Sequence, residues 1–164
     1  MKLSIFYVYE KQNKPEKLLQ NQKLSSARIQ VLPIKGHLTE TGQKQVLDHL
    51  PEAEGEYLTV LYEGDRLQAG WLDQACEKLE QSNMAFVMPY IFPQFELKNK
   101  CEYFRTESRE NREIDIRENQ LVFPLELHGL VLRTAQVQKT WRGCDLETEK
   151  EKQLVYELLK NQPI

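Results

Sequence analysis

Short apolar runs alternate with longer amphipathic stretches through the first half of the chain. The runs are rich in β-branched and aromatic residues, which favours strands. They cover residues 3–9, 28–32, 57–61 and 84–88. Apolar residues at helical spacing predict helices between them, at about 15–24, 39–50 and 69–81. This alternation predicts an α/β domain with a parallel sheet and right-handed crossovers.

The pattern changes after Pro93. Residues 95–118 are highly charged and contain two short strand-like pieces, 101–106 and 113–116, which predict either an antiparallel excursion or a partly mobile flap. Another strand is predicted at 127–133, and a last helix starts near Thr148. No linker or internal repeat interrupts the chain, so residues 1–164 are predicted to form a single domain.

Composition narrows the class of protein. The chain has 164 residues, of which 40% are hydrophobic and 29% charged, which is typical of a soluble globular domain. The net charge of -3 provides no electrostatic basis for binding nucleic acid. No transmembrane segment or signal peptide is apparent, and three scattered cysteines fit a reducing compartment. We therefore expect a cytoplasmic protein that reaches the inner face of the membrane only through a partner.

One short loop is the main candidate for chemistry. Glu63-Gly64-Asp65 follows the third predicted strand and precedes a helix. It is either a polar turn or a site where a hard divalent cation, Mg²⁺ or Mn²⁺, is held by carboxylate oxygens. In open α/β sheets, ligands bind outside the carboxyl ends of the strands. Both interpretations place Glu63 and Asp65 at that edge.

The segment from Ala53 to Asp65 reads Ala-Glu-Gly-Glu-Tyr-Leu-Thr-Val-Leu-Tyr-Glu-Gly-Asp. It resembles the signature of family 2 glycosyltransferases, in which an Ala-x-Gly-[Asp/Glu]-Tyr run enters a strand that ends in an Asp-x-Asp metal motif. The segment Lys35-Gly36-His37-Leu38 is similar to the part of that family before the donor-site helix. Residues 112–116, 127–133 and 144–159 resemble versions from bacterial teichoic-acid and capsule enzymes.

The resemblance implies a three-layer nucleotide-diphospho-sugar transferase-like (GT-A) fold, truncated by about one βα unit; which unit is missing, the first or the second, stays open. It also implies a nucleotide-sugar ligand and Mn or Mg as cofactor. Tyr62 and Gly64 stand where the family has its two aspartates, so the metal motif is degenerate. Asp65 is the remaining candidate for the metal.

The candidate site residues come from this resemblance and from residue type. Lys35, His37, Tyr62, Glu63 and Trp141 are candidates for donor binding. Glu151 is the candidate general base, although Thr148-Glu149-Lys150-Glu151 is also a helix capping box. Trp141 is either a sugar platform or a core residue. For His37 the alternative is a solvent-exposed or capping role. His128 is predicted to be a core histidine with a satisfied ring.

Three functions remain open from the sequence. The first is a divergent glycosyltransferase of cell-wall or capsular glycan synthesis. The second is a non-catalytic interaction or scaffold domain that assists a partner glycosyltransferase or belongs to a longer multidomain protein. The third is an α/β domain unrelated to sugar transfer, which a sheet with Asp65 away from its carboxyl edge would favour.

Overall fold

The computed structural model describes residues 1–36, 40–82, 86–87 and 127–142. These residues contain a five-stranded sheet in the order β2-β1-β3-β5-β4. The strands are β1 (Leu3–Tyr9), β2 (Ile29–Lys35), β3 (Tyr57–Tyr62), β4 (Phe86–Val87) and β5 (Val131–Arg133). β1 pairs in parallel with β2 and with β3, whereas β5 is antiparallel to its neighbours β3 and β4. The predicted α/β class with a mostly parallel sheet is therefore confirmed.

Helices cover both faces of this sheet, as the continuous burial of residues 3–8 in β1 requires, because successive side chains of a strand point to opposite faces. Phe6 and Val8 of β1 pack with α2 (Glu40–His49) and α4 (Thr134–Arg142), whose buried residues include Leu47 and Val137. The other face of β1 packs against α3 (Trp71–Glu80), which buries the predicted Leu72, Ala75 and Leu79 but leaves the predicted Trp71 only partly buried. The result is a three-layer arrangement. Every described helix is too short or too polar to cross a membrane.

Ala53, Glu54 and Gly55 lie at the amino edge of the sheet, opposite the carboxyl ends of the parallel strands. Gly55 N–H donates to Ser4 Oγ at 2.8 Å, and Glu54 N–H donates to Gln30 Oε1 at 2.9 Å. Ser4 Oγ in turn donates to Gln30 Oε1 at 2.6 Å. These bonds connect the approach to β3 with β1 and β2. The first half of the signature segment therefore has a structural role in this chain.

Two predicted boundaries are wrong for identifiable reasons. β2 does not stop before Pro33 but continues to Lys35. It is an edge strand in the described sheet, and an edge strand tolerates proline because only one of its sides forms a ladder. The first helix, α1, is limited to Glu16–Leu19, with Pro15 directly before it. Leu18 and Leu19 alone do not sustain a longer amphipathic helix.

The strand predicted at 127–133 is divided in the structure. His128 forms an isolated parallel bridge with Val60, Gly129 then turns the chain at φ 77°, and only Val131–Arg133 forms β5. The helix α4 that follows at once was missed, because Val137 and Trp141 are its only large apolar residues. The spacing of four residues between Val137 and Trp141 is the one sequence signal that could have predicted this helix.

Several predictions concern residues outside the described ranges. They include the pieces at 101–106 and 113–116 and the helix from Thr148. The described residues all belong to one compact unit. The single-domain organisation of residues 1–164 stays a prediction.

Candidate functional site

The carboxyl ends of β1, β2 and β3 lie at one edge of the sheet, since these strands are parallel and in register. Three short connections leave this edge: the loop at Glu10, Lys11 and Gln12 (the β1 loop), the turn at Gly36, and the loop from Glu63 to Asp65 (the β3 loop). Gly36 N–H donates to Tyr9 O at 3.0 Å, and Glu63 N–H donates to Val8 O at 2.8 Å. The β3 loop therefore lies at the carboxyl edge, as predicted.

The Glu63 carboxylate links the β1 loop to the β3 loop through hydrogen bonds. Its Oε2 accepts the backbone N–H groups of Glu10 at 2.9 Å and Lys11 at 3.0 Å, and its Oε1 accepts that of Gln12 at 2.9 Å. Three successive N–H groups directed at one centre form a concave anion-binding arrangement. In this chain the anion is the protein's own Glu63, so both oxygens of this side chain are engaged.

These backbone donors stabilise the charged form of the side chain. The hydrogen bond from Lys11 N–H, then that from Glu10, lowers the pKa of Glu63 below its ordinary value of 4.5. A lowered pKa in the folded state means that the contribution to stability is present above pH 4.5 and is lost as the pH falls through the folded-state pKa. We therefore expect the amide proton resonances of Glu10, Lys11 and Gln12 to shift together below pH 4.5, as NMR titration would show.

Two variants make this prediction specific. Glu63→Gln should abolish the shared titration, because a neutral amide has no charge to lose. Glu77→Gln, at an exposed position of α3, should leave it unchanged. A titration of the β1 loop that survives in Glu63→Gln would contradict the assignment of Glu63 as its anchor.

Asp65 makes a second tie, within the β3 loop and to a distant segment. Its Oδ2 accepts the backbone N–H of Tyr62 at 2.7 Å and lies 2.7 Å from His128 Nε2. A carboxylate only accepts hydrogen bonds, so Nε2 is the protonated ring nitrogen of His128. The His128 ring stacks on Tyr62, with centroids 3.8 Å apart and planes at 10°. The side chains of His128 and Asp65 are 17% and 21% exposed.

The His128 ring is hydrogen-bonded through Nε2, as predicted, but the residue lies partly exposed at the candidate site rather than in the core. Its partner Asp65 is 63 residues away in sequence, so no local pattern indicated the contact. The backbone donors of the β1 loop were missed as well, because hydrogen bonds from backbone groups carry no signal in residue type. Burial, followed by the charges of Glu63 and Asp65, raises the pKa of Tyr7 beneath this edge.

The other predicted site residues are distributed as follows. Lys35 ends β2 at the carboxyl edge and is exposed. Trp141 belongs to α4 and packs, partly buried, against the core, which favours its interpretation as a core residue. His37 and Glu151 lie outside the described residues. The donor-binding and general-base roles stay predictions.

Cysteine chemistry is not favoured at the one cysteine within the described ranges. Cys76 is a residue of α3 whose side chain packs in the core, and burial raises the pKa of its thiol to about 12. A thiol with such a pKa is not ionised at neutral pH and is a poor nucleophile.

The acidic side chains of the β3 loop are already engaged by hydrogen bonds from the protein. Magnesium requires several oxygen ligands in near-octahedral geometry, but both oxygens of Glu63 and Oδ2 of Asp65 already accept hydrogen bonds. Residues 1–36, 40–82, 86–87 and 127–142 contain no group of three His, Cys, Asp or Glu side chains placed to hold a metal. The metal role of Asp65 stays a prediction.

Comparison with known proteins finds a likeness in structure only. No family model and no curated protein sequence matches the chain. Among solved structures, the chain is similar to S. aureus TarS residues 1–349, with a TM-score of 0.63, 13% identity and 98% of this chain against 56% of that one. The complex of TarS 1–349 with UDP-GlcNAc matches with a TM-score of 0.62, 14% identity and coverage of 97% and 53%.

A longer TarS structure matches with a TM-score of 0.61 and 14% identity, covering 97% of this chain and 33% of that chain. The chain therefore spans about half or less of the solved structures that it matches. At such identities the likeness concerns the fold alone. TarS is a teichoic-acid glycosyltransferase, and the chain described here has a shortened glycosyltransferase-like fold.

Proposed function

We propose that this chain is a glycosyltransferase-like domain of bacterial cell-surface glycan synthesis, of the family 2 lineage, which binds a nucleotide-sugar and transfers sugar weakly or not at all when alone. The observation that carries the proposal is the shared fold, with the β3 loop at the carboxyl edge of the sheet. TarS 1–349 has been solved with UDP and with UDP-GlcNAc. A uridine nucleotide is therefore the first ligand to test.

The arrangement of the edge is compatible with a nucleotide. The β1 and β3 loops are held together by Glu63, and Lys35 stands exposed at the end of the neighbouring strand β2. An ordered loop pair beside a cation is suited to a phosphorylated ligand, because the loops lose little entropy when it binds. Trp141 packs, partly buried, against the core, so we assign it no part in sugar binding.

Isothermal titration with UDP, GDP, CDP and UDP-GlcNAc tests this function. We expect UDP and UDP-GlcNAc to bind with a dissociation constant of about 1 mM or tighter, within the usual range for enzyme substrates, and GDP and CDP to bind more weakly. Absence of binding heat with all four ligands would refute nucleotide-sugar binding. The fold assignment would remain.

A second candidate is a non-catalytic domain that assists a partner glycosyltransferase, also at the inner face of the membrane. It is supported by the internal hydrogen bonds of Glu63 and Asp65, which leave the β3 loop without the free carboxylates of an Asp-x-Asp motif. Co-purification with the products of neighbouring genes, followed by transfer assays with and without this chain, tests it. Sugar transfer by the chain alone, abolished in Asp65→Ala but retained in Asp48→Ala, would refute it.

A further inference from the structure

The two acidic side chains of the β3 loop, Glu63 and Asp65, accept hydrogen bonds from donors within the protein. Glu63 receives three backbone hydrogen bonds from the β1 loop, at 2.9 Å, 3.0 Å and 2.9 Å. Asp65 receives one from Tyr62 N–H and one from His128. A cation bound by these oxygens would compete with the hydrogen bonds that hold the β1 loop and the segment around His128.

Positive charge at this edge is available from lysine side chains. Lys11 belongs to the β1 loop, and Lys35 is the last residue of β2, paired in register with Tyr9 at the end of β1. Both residues are exposed. The charge of Lys11 contributes to lowering the pKa of Glu63. The Lys11 ammonium is therefore close enough to interact electrostatically with the Glu63 carboxylate that links the two loops. Lysine is a common phosphate-binding residue that acts as a point charge.

We infer that the carboxyl edge of the sheet binds a nucleoside diphosphate through Lys11 and Lys35, without a divalent cation. Glu63 and Asp65 hold the loops in place. This inference rests on the proposed function, because it concerns how the same ligand is held. It assigns to the two lysines the diphosphate charge that a metal neutralises in proteins with an intact Asp-x-Asp motif. It is consistent with the hydrogen bonds that both acidic side chains of the β3 loop accept from protein donors.

The first measurement is the affinity for UDP in EDTA and in Mn²⁺, by isothermal titration on the full chain. We expect the two dissociation constants to agree within about twofold, because no cation takes part. A loss of affinity of about tenfold or more on chelation, equivalent to the free energy of one good contact, would overturn the inference while supporting the proposed function.

Matched variants at the two ends of β2 test the role of Lys35. Lys35→Ala removes an exposed charge at the carboxyl end of β2, and Arg28→Ala removes an exposed charge just before its amino end. We expect Lys35→Ala to weaken UDP binding by roughly tenfold and to reduce its dependence on salt. Arg28→Ala should change neither. Equal effects of the two variants would overturn the role of Lys35.

Direct titration of Mn²⁺, followed by electron paramagnetic resonance without nucleotide, separates the two proposals. If UDP does not bind under any condition, the proposed function fails and so does the role of the lysines. Whether Glu63 and Asp65 bind a divalent cation is then decided by the Mn²⁺ titration alone. An unchanged signal of free Mn²⁺ supports it, and Mn²⁺ retention that disappears in Asp65→Asn overturns it.

Discussion

Gly55→Ala is expected to lower the free energy of unfolding by about 3 kcal/mol, the upper range for overpacking a tight site. A Cβ at this position would lie 2.4 Å from Ser4 N and 2.7 Å from Leu3 C. Both are backbone atoms of β1, which is hydrogen-bonded to strands on both sides and cannot move aside easily. Urea unfolding followed by circular dichroism would show the loss as a lower midpoint with an unchanged slope.

Gly64→Ala is the matched control, because it makes the same chemical change in the same signature segment. Gly64 has φ 89°, and a Cβ there would meet nothing within 4 Å. The expected cost is that of a left-handed conformation alone, about 1 kcal/mol. Equal losses in the two variants would show that close approach to β1 is not what requires glycine at position 55.

Asp65→Ala is expected to destabilise the fold by about 2 kcal/mol, the typical cost of leaving partly buried donors without an acceptor. The variant removes the acceptor for Tyr62 N–H and for His128 Nε2. Since the stack of His128 on Tyr62 depends on the same tie, the damage should extend to the segment around Gly129. Chemical denaturation gives the change, and NMR spectra locate it.

A double-mutant cycle with His128→Ala separates this tie from general damage. We expect a coupling energy of about 1 kcal/mol, in the range for residues in direct contact. Asp48→Ala, at an exposed position of α2, is the control and should stay within about 0.5 kcal/mol of the unmodified protein. Strict additivity of Asp65→Ala and His128→Ala would contradict a direct hydrogen bond between the two side chains.

The two stability experiments concern opposite edges of the sheet and separate two parts of one signature. Gly55 lies at the amino edge and is required by the packing of β3 beside β1. Asp65 lies at the carboxyl edge, where ligands bind in open α/β sheets. The first part is therefore a requirement of the fold, whether or not a sugar is transferred.

Local pattern was sufficient for the central elements. The apolar run at β3 and the helical spacing of Leu72, Ala75 and Leu79 in α3 are properties of consecutive residues, and the structure has both elements with small shifts at their ends. The parallel pairing of β1, β2 and β3 also followed, because a helix or turn of suitable length separates successive strands. Sequence resemblance supplied the glycosyltransferase-like fold.

The polar contacts at the site required the tertiary structure. Glu63 bonds to backbone groups 51 to 53 residues earlier, and Asp65 bonds to His128 63 residues later. The antiparallel direction of β5 and the turn at Gly129 bring His128 beside Val60. A sequence shows that carboxylates follow a strand, but whether they face solvent or internal donors depends on which loops the sheet register brings next to them. That register, set by pairing between strands distant in the chain, gives both acidic side chains of the β3 loop hydrogen-bond donors from distant segments.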